Sequence, residues 1–137
     1  MIRRLVHGAA VEEYDITPNP ERFTIRGVLA HLADFDAIFL ERMRRCRDEE
    51  EPRLTPRDEA QMAIDNDYAH VDPVASLARF SAARSELVAF LRNLPREEWQ
   101  RTGIHAVAGA ITIDEIVDLV VAHDGYHTRQ IAEWLAV

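Results

Sequence analysis

The chain has 137 residues, 47% of them apolar and 29% charged, the balance of one domain with its own core. Its net charge is −8 and every basic side chain other than histidine is an arginine. No basic face is then expected to neutralise phosphates, which excludes nucleic acid as a partner.

No apolar run approaches the roughly 18 residues that span a bilayer. The opening MIRRLVHGAAVEEYD turns acidic too soon for a signal peptide, and the single cysteine rules out an internal disulfide. The expected address is the cytoplasm and the expected partner a small molecule.

In chain order, residues 2–14 predict a short first helix closed by Pro18 and Pro20. Residues 24–50 predict a long second helix, because Ile25, Val28, Leu29, Leu32, Phe35, Phe39, Met43 and Cys46 recur at helical spacing. Pro52 and Pro56 end it, and residues 51–72 are the least regular part, with one short helix expected after Thr55-Pro56. Asp72-Pro73 is a capping side chain followed by proline at the first helical position, and it opens a third helix over residues 74–94. Pro95 stops that helix, with one further turn over residues 95–100. RTGIHAVAGA, residues 101–110, reads as a loop, since no part of the chain sustains an alternation of period two. Thr112-Ile-Asp-Glu115 has capping-box spacing and opens the last helix, which runs to about Leu135.

Four principal helices make an all-α four-helix bundle the economical packing. Within the last helix IVDLVVA, residues 116–122, is apolar almost all round. It predicts neighbours on more than one side, a second subunit among them, hence a possible homodimer.

Ile113, Ile116, Val117, Val120, Ile131, Trp134 and Leu135 mark the buried stripe of the last helix, and His123 and His127 fall inside it. At i, i+4 the two imidazoles stack on one face, where desolvation requires that something satisfy them. Either each packs as a hydrogen-bonded core histidine or the two ligate a metal. His31 adds a third imidazole, on the flank of the second helix's stripe and about two turns from its start. Three neutral imidazoles with an open fourth position are a familiar catalytic-type site for a divalent metal.

FTIRGVLAHLADFDAIFLERM, ARFSAARSELVAFLRNL and TIDEIVDLVVAHDGYHTRQI together resemble the DinB-like superfamily over roughly residues 20–135. The resemblance implies a four-helix bundle and a metal site on His31, His123 and His127. It implies zinc or nickel as the metal, with iron and manganese as further candidates. Phe23 stands where members often have tryptophan, and Gly27 where an acidic residue is common. The implied reaction is transfer involving a low-molecular-weight thiol, with metal-assisted hydrolysis close behind. A helical dimer that holds metal without catalysis is the remaining alternative. Other motif readings of HDGYH fail. Asp124 replaces the glutamate of a zincin, no Glu-x-x-His pair suits a di-iron bundle, and no further aspartate completes an HD-type set.

Arg84 in the third helix and Asp124 in the last both fall on buried stripes. A buried arginine needs a carboxylate, and Asp124 or Asp34 is the expected partner. The pair is a structural ion pair or, as cofactor- or substrate-binding candidates, a clamp beside the metal. His105 is expected to be a solvated loop histidine, and His7 and His70 belong to no constellation. Cys46 lies 15 residues beyond His31, roughly 22 Å along a helix, and reads as a small core residue.

Overall fold

The computed structural model describes residues 1–135. The elements in chain order are α1 (Ile2–Val6), α2 (Ile25–Asp48), α3 (Glu59–Asp65), α4 (Pro73–Asn93), β1 (Thr102–His105), β2 (Gly109–Thr112) and α5 (Ile113–Trp134). Each long helix starts where a side chain satisfies an orphan amide. The Gly27 amide donates to the Thr24 hydroxyl at 3.1 Å, and the Val74 amide to the Asp72 carboxylate at 3.2 Å. At α5 the Glu115 amide donates to the Thr112 hydroxyl and the Thr112 amide to the Glu115 carboxylate, both at 3.0 Å.

Two expectations are corrected. Residues 2–14 do not form one helix. After α1 the chain bends through Gly8 and resumes as a 3-10 turn, Val11–Asp15. The Tyr14 hydroxyl reaches back to the Val6 carbonyl at 3.2 Å and fixes the bend. Residues 101–110 are not a loop, because β1 and β2 form an antiparallel hairpin with Thr102 opposite Thr112 and His105 opposite Gly109. Strands of four residues are too short to display an alternation, and the hairpin takes much of its support from elsewhere. Residues 52–54 run beside β1, with the Leu54 amide donating to the Ile104 carbonyl at 2.9 Å and the Ile104 amide to the Pro52 carbonyl at 2.8 Å.

Side-chain pairings set the helix directions. Asp34 meets Arg79, Asp36 meets Arg84 and Arg44 meets Glu86, so α2 and α4 run parallel. His31 meets His123, while Phe23, before α2, meets Gln130 and Trp134, so α5 runs antiparallel to both. Parallel neighbours cannot be joined by a tight turn, and the long connection carrying α3 is the consequence.

The core is divided. One apolar cluster holds Ile25, Val28, Leu29 and Leu32 of α2 with Ile2, Val6 and Ile131. The other holds Phe35, Phe39, Met43 and Cys46 with Leu87, Phe90, Ile113, Ile116 and Val120. Between them, His31 and Asp36 of α2, Arg84 of α4 and His123, Asp124, His127 and Gln130 of α5 form a polar layer. Leu119 and Val121, on the outer side of α5, remain 41% and 65% exposed. Among the described residues no helix is long and apolar enough to cross a membrane.

β1 approaches α2 closely at Gly103, where a Cβ would stand 2.7 Å from the Cys46 sulfur and 3.0 Å from Leu54 Cδ2. Gly103→Ala is therefore expected to destabilise the protein by about 1–3 kcal/mol through overpacking, read as a lower urea midpoint at unchanged slope.

Candidate metal centre

His123 and His127 lie one turn apart on α5, and the antiparallel packing of α2 brings His31 against them. The Nε2 atoms of His31 and His123 are 2.8 Å apart. One ring nitrogen from each of the three histidines falls within a cluster no wider than 4.8 Å. Ring centroids are 4.6–4.8 Å apart pairwise. His31 lies on the flank of its helix's stripe, the side that α5 covers. It is fully enclosed at 0% exposure, with Phe23 and Phe35 centroids at 5.2 and 4.6 Å. Phe35 and Phe39 also cover His123.

This burial keeps the imidazoles neutral. Desolvation is the main cause throughout, lowering His31 to about 3 with help from the neighbouring His127 and His123. It lowers His123 to about 4, and His127 is also lowered, partly offset by its hydrogen bond to Gln130. Neutral imidazole is the form that ligates a metal.

Gln130, 1% exposed, was not singled out by sequence. Its Oε1 accepts from His127 Nδ1 at 2.9 Å, and its own amide donates to the Phe23 carbonyl at 3.1 Å. That bond assigns the proton to Nδ1 and leaves Nε2 of His127 with a free lone pair. Its only sequence signal is a glutamine three residues beyond a histidine on a buried stripe. The facing Nε2 atoms of His31 and His123 give the same sense. Without a cation one must donate to the other, whereas a cation accepts both lone pairs. His31 Nδ1 is buried with no hydrogen-bond partner among the described residues. The donor set, three neutral nitrogens with one orientation fixed from behind, fits a borderline divalent ion.

The Arg84 guanidinium stands beside this cluster. It grips Asp36 through Nε and Nη2 at 2.6 and 2.9 Å, and Asp124 through Nη1 and Nη2 at 2.6 and 2.9 Å. The Phe80 ring lies under it at 5.0 Å. Asp124 is the expected partner, but Asp34 is not. Asp34 accepts from Tyr68, Asn66 and Arg79 instead. Asp36, inside the predicted stripe between Leu32 and Phe39, takes its place. Burial raises the Asp36 carboxyl against the opposing pull of Arg84. Both double hydrogen bonds are internal, so Arg84 and Asp124 tie helices together.

His105 is not in a solvated loop but ends β1, where its Nδ1 accepts the Val107 and Ala108 amides at 3.2 and 3.1 Å. Cys46 is a core thiol whose pKa burial raises. Among the described residues the histidine cluster includes neither His7, His70 nor His105.

A cavity of about 270 Å³ opens beside His127, walled by Arg22, Phe23, Glu59, Ala60 and Tyr126. α3 contributes Glu59 and Ala60, so the connection forced by the parallel helices closes one side of the site.

The family model of the DinB superfamily matches residues 1–131. OB0782 of Oceanobacillus iheyensis, named provisionally as a metal-dependent hydrolase, is 28% identical over 120 residues, 88% of this chain and 69% of its own length. YfiT of Bacillus subtilis, named in the same way, is 30% identical over 112 residues, 81% of this chain, and the match spans 63% of YfiT. The solved structure of YfiT, described as having an unusual four-helix bundle topology, superposes with a TM-score of 0.90 at 27% identity. The match covers 97% of this chain and 77% of that one.

Arg84→Ala leaves the enclosed Asp36 carboxylate without a counter-charge and is expected to cost about 3–5 kcal/mol in urea unfolding. Arg84→Lys is expected to restore only a minor part, since an ammonium cannot hold two carboxylates bidentately. For the metal-free protein, histidines with native pKa values below their unfolded 6.5 contribute stability that is complete above pH 6.5. That contribution is lost as pH falls toward 4 and 3. His31 alone is expected to remove about 2 kcal/mol between pH 7 and 5, measured by urea titration in the presence of a chelator.

Proposed function

Because the chain belongs to the DinB superfamily, we propose that it is a metal-dependent hydrolase of small molecules, with His31, His123 and His127 holding one divalent cation. One observation carries this reading: the convergence of three neutral imidazoles, with ring nitrogens within 4.8 Å, in a layer otherwise enclosed by apolar side chains. A cation held there supplies Lewis acidity, polarising a substrate oxygen and lowering the pKa of coordinated water.

The chain's own groups do the rest. Gln130 fixes the tautomer and angle of His127, and Arg84 holds the α5 turn carrying His123 and Asp124 against α2 and α4. Phe23, Phe35 and Phe39 keep water from the back of the cluster. Glu59 shares the cavity with His127. Although the residue as a whole is exposed, packing around its carboxyl raises its pKa. It is the carboxylate that takes a proton from water in this cavity.

The names of both relatives favour hydrolysis over transfer involving a low-molecular-weight thiol, the other reaction that the resemblance implies. A cation held purely for stability would sit in a closed shell, and the cavity at His127 favours an open one.

Elemental analysis of untagged protein is expected to find one zinc, nickel or similar ion per chain, with His31→Ala and His127→Ala each losing it. A full complement in either variant overturns the ligand set. The loaded protein is expected to hydrolyse p-nitrophenyl acetate faster than the metal-free form. Glu59→Gln is expected to keep the metal and lose on the order of a hundredfold in that rate.

A further inference from the structure

Arg22 lies just before α2 and has no firm acidic partner. Its guanidinium is stacked over Tyr126 at 5.1 Å and Trp134 at 4.6 Å, which fixes its position without using its N–H groups. Glu133 pairs with it only loosely, its Oε2 standing 3.5 Å from Arg22 Nη1 while its Oε1 accepts from Arg129 at 3.0 Å. Arg22 Nε is buried and makes no hydrogen bond among the described residues. A buried donor left open is costly, and the Arg22 side chain that carries it lines the cavity beside His127.

We propose that this cavity binds a small molecule through a single anionic group, a carboxylate or similar oxyanion, gripped by Arg22. The guanidinium supplies a planar fork of donors, which a carboxylate matches in geometry and charge. Phe23, Ala60 and Tyr126 supply an apolar wall for the rest of the ligand. Glu21 and Glu59 line the same cavity. One arginine facing two carboxyl groups suits a monoanion and disfavours a polyphosphate. A volume of about 270 Å³ suits a ligand somewhat smaller than drug size. The binding of the anion follows from Arg22 and the cavity. Its role as part of the hydrolysed substrate rests on the metal-hydrolase reading above.

Benzoate as the monoanionic probe and pyrophosphate as the polyanionic one test this, titrated calorimetrically into the full chain in metal-free and zinc-loaded forms. Benzoate is expected to saturate at one per chain in the metal-free form, with pyrophosphate at least about tenfold weaker. Arg22→Met keeps the apolar stem over Trp134 and removes the charge, so benzoate affinity is expected to fall about tenfold or more with zinc content unchanged. Should circular dichroism show that variant unfolded, Arg22→Gln is expected to give the same loss. Wild-type benzoate affinity in the folded variant overturns the inference. So does the lack of saturable benzoate binding at millimolar concentration, and so does tighter binding of pyrophosphate. A chain that takes up no zinc yet binds benzoate through Arg22 sinks the hydrolase reading alone. One zinc per chain, with benzoate binding indifferent to Arg22, sinks this inference alone.

Discussion

The guanidinium of Arg84 holds three helices at one level. It contacts Asp36 of α2 and Asp124 of α5 from its place on α4, with four hydrogen bonds of 2.6–2.9 Å. Low-dielectric surroundings make such a network strong when complete and costly when any member is missing. That constraint fixes the register of the helices. Sliding any one of them by a turn would strand a charge in one of the two apolar clusters on either side.

The same register assembles the histidines. His123 precedes Asp124, and His31 lies five residues before Asp36, so the ion-paired level and the imidazole level are adjacent storeys of one polar layer. Hydrophobic packing above and below removes water from both. For Arg84 that desolvation is offset by two carboxylates. For the imidazoles it is offset only in part, by Gln130 at His127 and by the His31–His123 contact. The layer is thus least satisfied where a nitrogen of each of the three rings converges within 4.8 Å, and a cation is the group that would complete it.

The parallel course of α2 and α4 has a functional consequence through the chain that joins them. Asp34 gathers Asn66 and Tyr68 from that connection, and Tyr68 sets its ring edge-on to Phe23 at 5.7 Å. These contacts anchor α3 beside the opening at His127, where Glu59 and Ala60 complete a cavity that the long helices alone would leave open. The topology that lengthens the connection also supplies the wall of the site, and the superposition on YfiT extends over nearly the whole chain.

Helix positions were legible in the sequence because their signals are local. Thr24, Asp72 and Thr112 cap their helices, Pro52 and Pro95 close them, and the apolar spacing of α2 and α5 identifies the buried faces. His123 and His127 were legible for a related reason, as polar residues placed where leucine or isoleucine belonged, and the family resemblance added His31 to them. What the sequence left open depended on partners distant in the chain. Strands β1 and β2 are four residues each and lean on residues 52–54. Asp36 rather than Asp34 meets Arg84 because Asp36 lies on the apolar face of α2, one turn from Leu32 and Phe39, whereas Asp34 lies off that face, a distinction the helical spacing itself carries. Gln130, Arg22 and Glu59 acquire their roles from where α5, the segment before α2 and the connection meet. By itself the sequence determined which residues would form the three long helices and which faces of α2 and α5 would be buried. Tertiary structure decided which of them face one another, because side-chain contacts across helices depend on packing angle and register rather than on separation along the chain.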